Sequence, residues 1–276
     1  MKNCWIIILL IVSGCVSSHG GLKIHFLGNC GFFYESHASK VLIDPFGSEF
    51  GDFFFLPSSE LKAKMEKGQS PFENIDLLLI THNHGDHFNP FSAEKFLLNH
   101  GKSKMVCPPQ VFNQMKDYCS HWDQIKPQII SPQLRMHQWK SLEIDGITLN
   151  IINLQHGTDR SLAGVPHEEY TEYEKTENYG YLMTLEEKVI FHQGDGCLKI
   201  NASAIQNLQQ EVDIAHLSYF DWDSVSWKFL NETLYAKNII FMHGTKAGTE
   251  LEEGDLASLT TDLVIFNHES ESKTFD

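Results

Sequence analysis

The sequence predicts an α+β fold in which two packed mixed sheets carry helices on their outer faces. Three observations predict it. Short apolar runs separated by turn residues dominate both halves of the chain. Helical stretches lie among them without strict alternation, which argues against a doubly wound parallel sheet. No Pro-, Gly- or Ser-rich linker divides residues 21–276, so they read as one domain.

Residues 1–20, MKNCWIIILLIVSGCVSSHG, read as a leader and short tether. Lys2 precedes an apolar run from Trp5 to Val12, followed by small residues, the order of a secretory signal. That run falls short of the roughly 20 apolar residues a membrane-spanning helix needs. Val12-Ser13-Gly14-Cys15 resembles the lipobox of bacterial lipoproteins, in which the Cys becomes the lipidated first residue. The expectation is a lipid-anchored protein of the bacterial cell envelope, periplasmic or outer-membrane associated, attached through Cys15. A plain cleaved signal with an incidental Cys is the alternative.

From Leu22, LKIHFLG, GFFYES and KVLIDPFG read as three strands joined by turns. Segment 58–67, SSELKAKMEK, reads as a capped helix, and DLLLI as a buried strand running into a His-rich turn. Helical patterning covers 92–99 and 109–119. Strands follow at 128–131, 142–145 and 147–154, the last two joined by the hairpin signal Asp145-Gly146. Segment 164–178 is acidic and aperiodic, a candidate loop or lid. NYGYLMTLEEKVIFHQGD reads as a hairpin turning at Glu186-Glu187, before a helix near 202–211 and strands at 213–218 and 238–242. Phe53–Phe55 read as core, with the lining of an apolar pocket as the alternative.

Composition narrows function. Against 21 basic residues stand 36 acidic ones, a formal charge of −15, which repels phosphate backbones and disfavours nucleic acid as a partner. The chain holds 15 His, the commonest metal ligand. Cys30, Cys107, Cys119 and Cys197 show no zinc-ribbon spacing, and a Cys107–Cys119 bridge and buried thiols both stay open.

The chemistry concentrates at His82-Asn83-His84-Gly85-Asp86-His87. Four potential ligands fall within six residues on a turn after a buried strand. A turn lets neighbouring side chains diverge, so His82 and His84 can face one ion while Asp86 and His87 face another. Imidazole and carboxylate together suit zinc, and manganese or iron as well.

The string THNHGDHF closely resembles the HxHxDH motif of the metallo-β-lactamase fold superfamily. Further along, His156 in NLQHGTD, Asp195 in VIFHQGDG and His243 in NIIFMHGT match the family's later ligands in order. The resemblance runs from about Leu22 to at least His243. LKIHFLGNCGFF and VLIDPFG look most like the branch containing ascorbate-6-phosphate lactonase and N-acyl-phosphatidylethanolamine phospholipase D. Relatives there often carry a His where this chain has Asn29.

The resemblance implies a four-layer αββα sandwich and two divalent metal ions, most simply zinc. His82, His84 and His156 would hold one ion, and Asp86, His87 and His243 the other, with Asp195 bridging. Asp44 would orient a ligand His. It further implies a metal-dependent hydrolase of a small-molecule or lipid-like substrate bearing an ester-like bond, a lactone or phosphodiester. A metal-bridging hydroxide would attack, with Asp86 or Asp195 relaying its proton. The redox di-iron relatives carry a Glu at the position of His84. A lipid-anchored metal-binding or sensing protein without turnover is the alternative. Arg160 and Lys246 read either as anion contacts or as solvated surface charge, and His192 and Cys197 read as structural.

Overall fold

The first apolar runs form a meander, β1 (Leu22–Gly28), β2 (Gly31–Glu35) and β3 (Lys40–Ile43), in a computed structural model describing residues 21–157, 175–206, 211–218, 221, 224–244 and 261–276. The leader 1–20, Arg160, Lys246 and residues 164–174 lie outside the described residues. Three short strands, β4 (Leu77–Leu79), β5 (Lys104–Val106) and β6 (Ile129–Ile130), continue the sheet in parallel from β3. At its other edge β14 (Ser272–Phe275) pairs antiparallel with β1.

The second sheet repeats this plan. β7 (Trp139–Ile144), β8 (Ile147–Gln155), β9 (Glu177–Leu185) and β10 (Lys188–His192) are antiparallel. β11 (Ile214–Ser218), β12 (Asn238–Met242) and β13 (Asp262–Val264) then follow in parallel. The β7–β8 turn sits at Asp145 and Gly146, with φ 49° and 88°; the β9–β10 turn places Glu186 and Glu187 at 47° and 65°. Positive φ at both central residues gives the twist that two-residue hairpins favour.

Helices α1 (Ser59–Lys67), α2 (Pro90–Asn99), α3 (Pro109–Tyr118) and α4 (Trp122–Ile125) precede β7, and α5 (Leu198–Ile205) and α6 (Ser224–Glu232) follow β10. The Ser58 side chain accepts the Leu61 N–H, and Gly68 closes α1 in the left-handed region at φ 62°. Asn89 caps α2 in the same manner, accepting from Ser92, with Pro90 as its first residue.

Three apolar clusters define the layers. Ile24, Phe32, Tyr34 and Leu79 of the first sheet meet Leu149, Tyr181, Ile190 and Ile240 of the second. Leu42 and Leu78 back onto Leu61, Met65, Phe96 and Val111 of the first helices. Ile152, Phe191 and Ala215 do the same with Leu198, Ile205 and Leu230 of α5 and α6. Each large side chain so buried contributes about 1.5–3 kcal/mol. The result is the four-layer αββα sandwich. The Tyr181 hydroxyl donates across the central layer to the Ile80 carbonyl at 2.7 Å.

Some boundaries depart from the sequence reading. The helix placed near 202–211 is α5, starting at Leu198, because Cys197 begins it without a side-chain cap to mark the start. Glu177 and Asn178 open β9 rather than ending a loop. Of Phe53–Phe55 only Phe54 is core, buried against the His243 ring with 4.3 Å between centroids, while Phe53 and Phe55 are 51% and 40% exposed. Cys30, Cys107, Cys119 and Cys197 are buried thiols, and no disulfide joins them.

A pair of histidines in the central layer ties stability to pH. His192 and His216 are fully buried with ring centroids 4.7 Å apart. The Tyr34 hydroxyl donates to His216 Nε2 at 2.7 Å. His192 Nε2–H donates to the Cys30 carbonyl at 3.3 Å, and the Gly194 N–H to His192 Nδ1 at 3.1 Å. Burial pushes both imidazoles down, His192 to about 4 and His216 well below its ordinary 6.5. The folded state thus binds fewer protons than the unfolded chain below pH 6.5. Stability is full above that pH and falls as pH drops, by up to about 1.4 kcal/mol per unit for each such group. The urea midpoint is expected to fall between pH 7 and pH 5, and to fall less in His216→Gln. Equal falls in both proteins would remove His216 from the account.

Candidate metal centre

The site lies where the C-terminal ends of β4, β8, β10 and β12 converge. His82 to His87 form the loop between β4 and α2; His156 follows β8, Asp195 follows β10, and His243 follows β12. Both sheets therefore contribute, and the sandwich sets the distances between them. All seven sequence-predicted site residues come together here.

Two donor groups form. His82, His84 and His156 offer ligand atoms within 4.8 Å of one another, as do Cys30, His87, Asp195 and His243. Asp195 stands between them. Its Oδ2 is 3.8 Å from His82 Nε2, 3.7 Å from His156 Nε2 and 3.2 Å from His243 Nε2, and its Oδ1 is 3.3 Å from His87 Nε2. Asp86 Oδ2 joins the second group, 3.5 Å from His87 Nε2 and 3.4 Å from His243 Nε2.

Asp44, just past β3, sets the direction of two of these rings. Its Oδ1 accepts the Thr81 N–H at 2.8 Å. Its Oδ2 accepts the Thr81 hydroxyl at 2.5 Å and His87 Nδ1–H at 2.8 Å. With the Thr81 proton directed at Asp44, Thr81 Oγ1 accepts from His82 Nδ1–H at 2.9 Å. Both Nδ1 atoms are thereby protonated and tied, and both Nε2 atoms are turned inward. His82 Nε2 is buried with no hydrogen-bond partner. An orphaned acceptor among imidazoles and carboxylates is what a cation site requires, so the residues fit a metal.

Electrostatics agrees. Burial pushes His82 well below its ordinary range, lowers His84, and takes His156 to about 3, so these three are neutral imidazoles, the ligating form. Burial would lower His87 as well, but the Asp195 and Asp86 carboxylates outweigh it and hold His87 well above 6.5. Burial alone would raise Asp195; His243 and His87 instead hold it well below the usual carboxylate range. A proton on His87 thus balances the cluster's negative charge until a cation replaces it.

Several supporting residues were missed in the sequence. Asn178 is fully buried, accepts the Asp195 N–H at 2.9 Å and donates to the Gln193 carbonyl at 2.9 Å, fixing the Asp195 loop. Its place at the end of an acidic, aperiodic segment hid it. Cys30 lies on the β1–β2 turn, and only the fold reveals its approach to the second donor group; burial raises its thiol, so it stands as a protonated neighbour. Asn29, where relatives often have His, donates to Asp86 Oδ2 at 3.1 Å and so positions that carboxylate.

Backbone strain gathers here. Asn29, Asp44 and His243 have φ of 49°, 43° and 63°, and the His243 N–H donates to the Asn29 carbonyl at 3.2 Å. Each such residue costs on the order of 1–3 kcal/mol unless its surroundings hold it. Gly47 is required by close approach, since a Cβ there would strike the Asp86 carbonyl.

Facing sheets, outer helices and a His/Asp cluster at the strand ends together define a class: αββα proteins with a metal-binding centre. Within that class the chain belongs to the beta-lactamase superfamily domain family, which matches residues 23–218. It is 23% identical over 196 residues to a UPF0173 metal-dependent hydrolase of Pyrococcus horikoshii, covering 71% of each chain. A UPF0173 metal-dependent hydrolase of Pelotomaculum thermopropionicum is 27% identical over 175 residues, 63% of this chain and 62% of that one. The fold also resembles that of Igni18, a metallo hydrolase from the archaeon Ignicoccus hospitalis, with TM-score 0.63 and 18% identity over 92% of this chain and 98% of that one.

Proposed function

We propose that this chain is a metal-dependent hydrolase that uses two divalent ions to cleave an ester-like bond, a lactone or a phosphodiester. Membership of the beta-lactamase superfamily and relatives described as metal-dependent hydrolases support the general activity. The observation that carries the binuclear reading is the Asp195 carboxylate, one oxygen of which lies within 3.8 Å of nitrogens in both donor groups. In this reading His82, His84 and His156 hold one ion, Asp86, His87 and His243 the other, and Asp195 both.

Divalent ions so held supply Lewis-acid charge and an activated water at neutral pH. The chain's own residues do the rest. Asp44 and Thr81 hold the Nδ1 protons of His82 and His87 and turn both Nε2 atoms inward. Asn29 holds Asp86 at the floor of the cleft, where the Asp86 or Asp195 carboxylate accepts the proton released on attack. His84, Asp86, His156, Asp195 and His243 all border one cleft, so a substrate entering it meets five of the seven site residues.

The test is steady-state turnover of a lactone panel and a phosphodiester panel by zinc- or manganese-loaded protein. Turnover on one panel is expected, lost about 100-fold on chelation and restored by metal. Absence of metal-dependent turnover on both would refute the ester-like assignment.

A further inference from the structure

The cleft over the metal centre has a volume of about 830 Å³. The His and Asp cluster borders it, and so do Phe50, Phe91 and Tyr118, which are 61%, 52% and 58% exposed. These three come from different elements: Phe50 from the loop after β3, Phe91 from the first turn of α2, and Tyr118 from the end of α3. Phe54 and Phe88 lie deeper, Phe54 against the His243 ring.

Phe50 stands at φ 62°, a left-handed conformation uncommon for a bulky side chain, and it is presented to the cleft instead of packed beneath it. Aromatic surface left in water on three separate elements, all bordering one cleft, marks a place where an apolar partner settles. Charge narrows the partner further. Among the described residues no Lys or Arg lines the cleft, and the charged residue added to the cluster is acidic, Glu49. Among the described residues a polyanionic arm finds no cationic side chain in the cleft.

We infer that the substrate carries an uncharged apolar acyl arm, which lies along Phe50, Phe91 and Tyr118 while its ester-like bond reaches the metal centre. This inference rests on the metal-centre reading above and adds the substrate class to it. The aromatic wall binds and orients that arm and takes no part in bond cleavage. Because Phe50, Phe91 and Tyr118 share the cleft with His84 and Asp195, a bound acyl ligand is favoured over a docked bilayer or protein.

The experiment measures dissociation constants of alkyl hydroxamates from two to eight carbons for the zinc-loaded full chain by calorimetry. A half-exposed aromatic wall is expected to tighten binding roughly twofold per methylene, so about 30- to 100-fold across the series. In a Phe91→Ala/Tyr118→Ala double variant the gain is expected to shrink to within about threefold, with acetohydroxamate bound as before. Leu98→Ala, an exposed apolar residue of α2 outside the cleft, is expected to keep the full gain. A flat series in the unaltered protein overturns the inference, as does a steep series that survives the double variant. Loss of vesicle binding in that variant with the hydroxamate series unchanged overturns it in favour of a membrane-docking surface. Direct calorimetric binding of 1-butanol and 1-octanol, which need no metal, applies the same criterion if hydroxamates do not bind. Chain-length dependence in a protein that turns over neither panel would sink the hydrolase proposal and leave the acyl site standing.

Discussion

Asp195→Ala is expected to lower kcat/KM by about a thousandfold or more and to strip metal from the protein at the same time. Its carboxylate is the group that approaches both donor sets, between 3.2 and 3.8 Å from His82, His87, His156 and His243 nitrogens. Removing it withdraws a charged donor from both and leaves His87 without its strongest charge partner. A loss of activity with metal content intact would point to a role in proton transfer alone. Full activity, read as kcat/KM on any substrate the protein turns over, would end the bridging assignment. Asp195 itself stays positioned through the Asn178 amide, so the loop is expected to keep its path in the variant.

Asp44→Asn is expected to weaken metal affinity by about 10- to 100-fold, although Asp44 touches no donor atom that faces the centre. The carboxylate accepts three hydrogen bonds, from the Thr81 N–H, the Thr81 hydroxyl and His87 Nδ1–H. An amide can accept at one oxygen only, so its NH₂ must face donors on the other side. Relief comes if His87 moves its proton to Nε2, the atom that points at the centre, or if the Thr81 hydroxyl turns away and frees His82. Either change removes a ligand lone pair. The check is a zinc competition titration alongside a urea melt. Asp44→Ala would strand the same buried donors at about 1–3 kcal/mol each, so the Asn variant is the cleaner probe. An unchanged zinc affinity in a folded Asp44→Asn protein would show that ligand orientation does not depend on this network.

These expectations draw on two kinds of information in the chain. The strand before His82, the ligand-dense turn after it, the two hairpins and the capped α1 were readable because period, turn chemistry and caps are local signals. His156, Asp195 and His243 were readable only as an ordered series of residues after strands, which the metallo-β-lactamase resemblance supplied. Other features had no local signature. β5 is three residues long, and β14 exposes three of its four residues, so neither shows a period. Asn29, Cys30 and Asn178 owe their roles to contacts 17 to 57 residues away or to convergence of strands, which no spacing rule reports. The exposed aromatic wall was concealed for the opposite reason. Phe50, Phe91 and Tyr118 look like ordinary core residues until the fold shows each more than half exposed.

Elemental analysis of the purified protein, beside Asp195→Ala, tests the central claim most directly. Two paired donor groups predict about two equivalents of zinc, manganese or iron per chain, falling to one or fewer in the variant. Less than one equivalent in the unaltered protein after reconstitution, or two that persist without Asp195, would contradict a binuclear centre organised around that carboxylate.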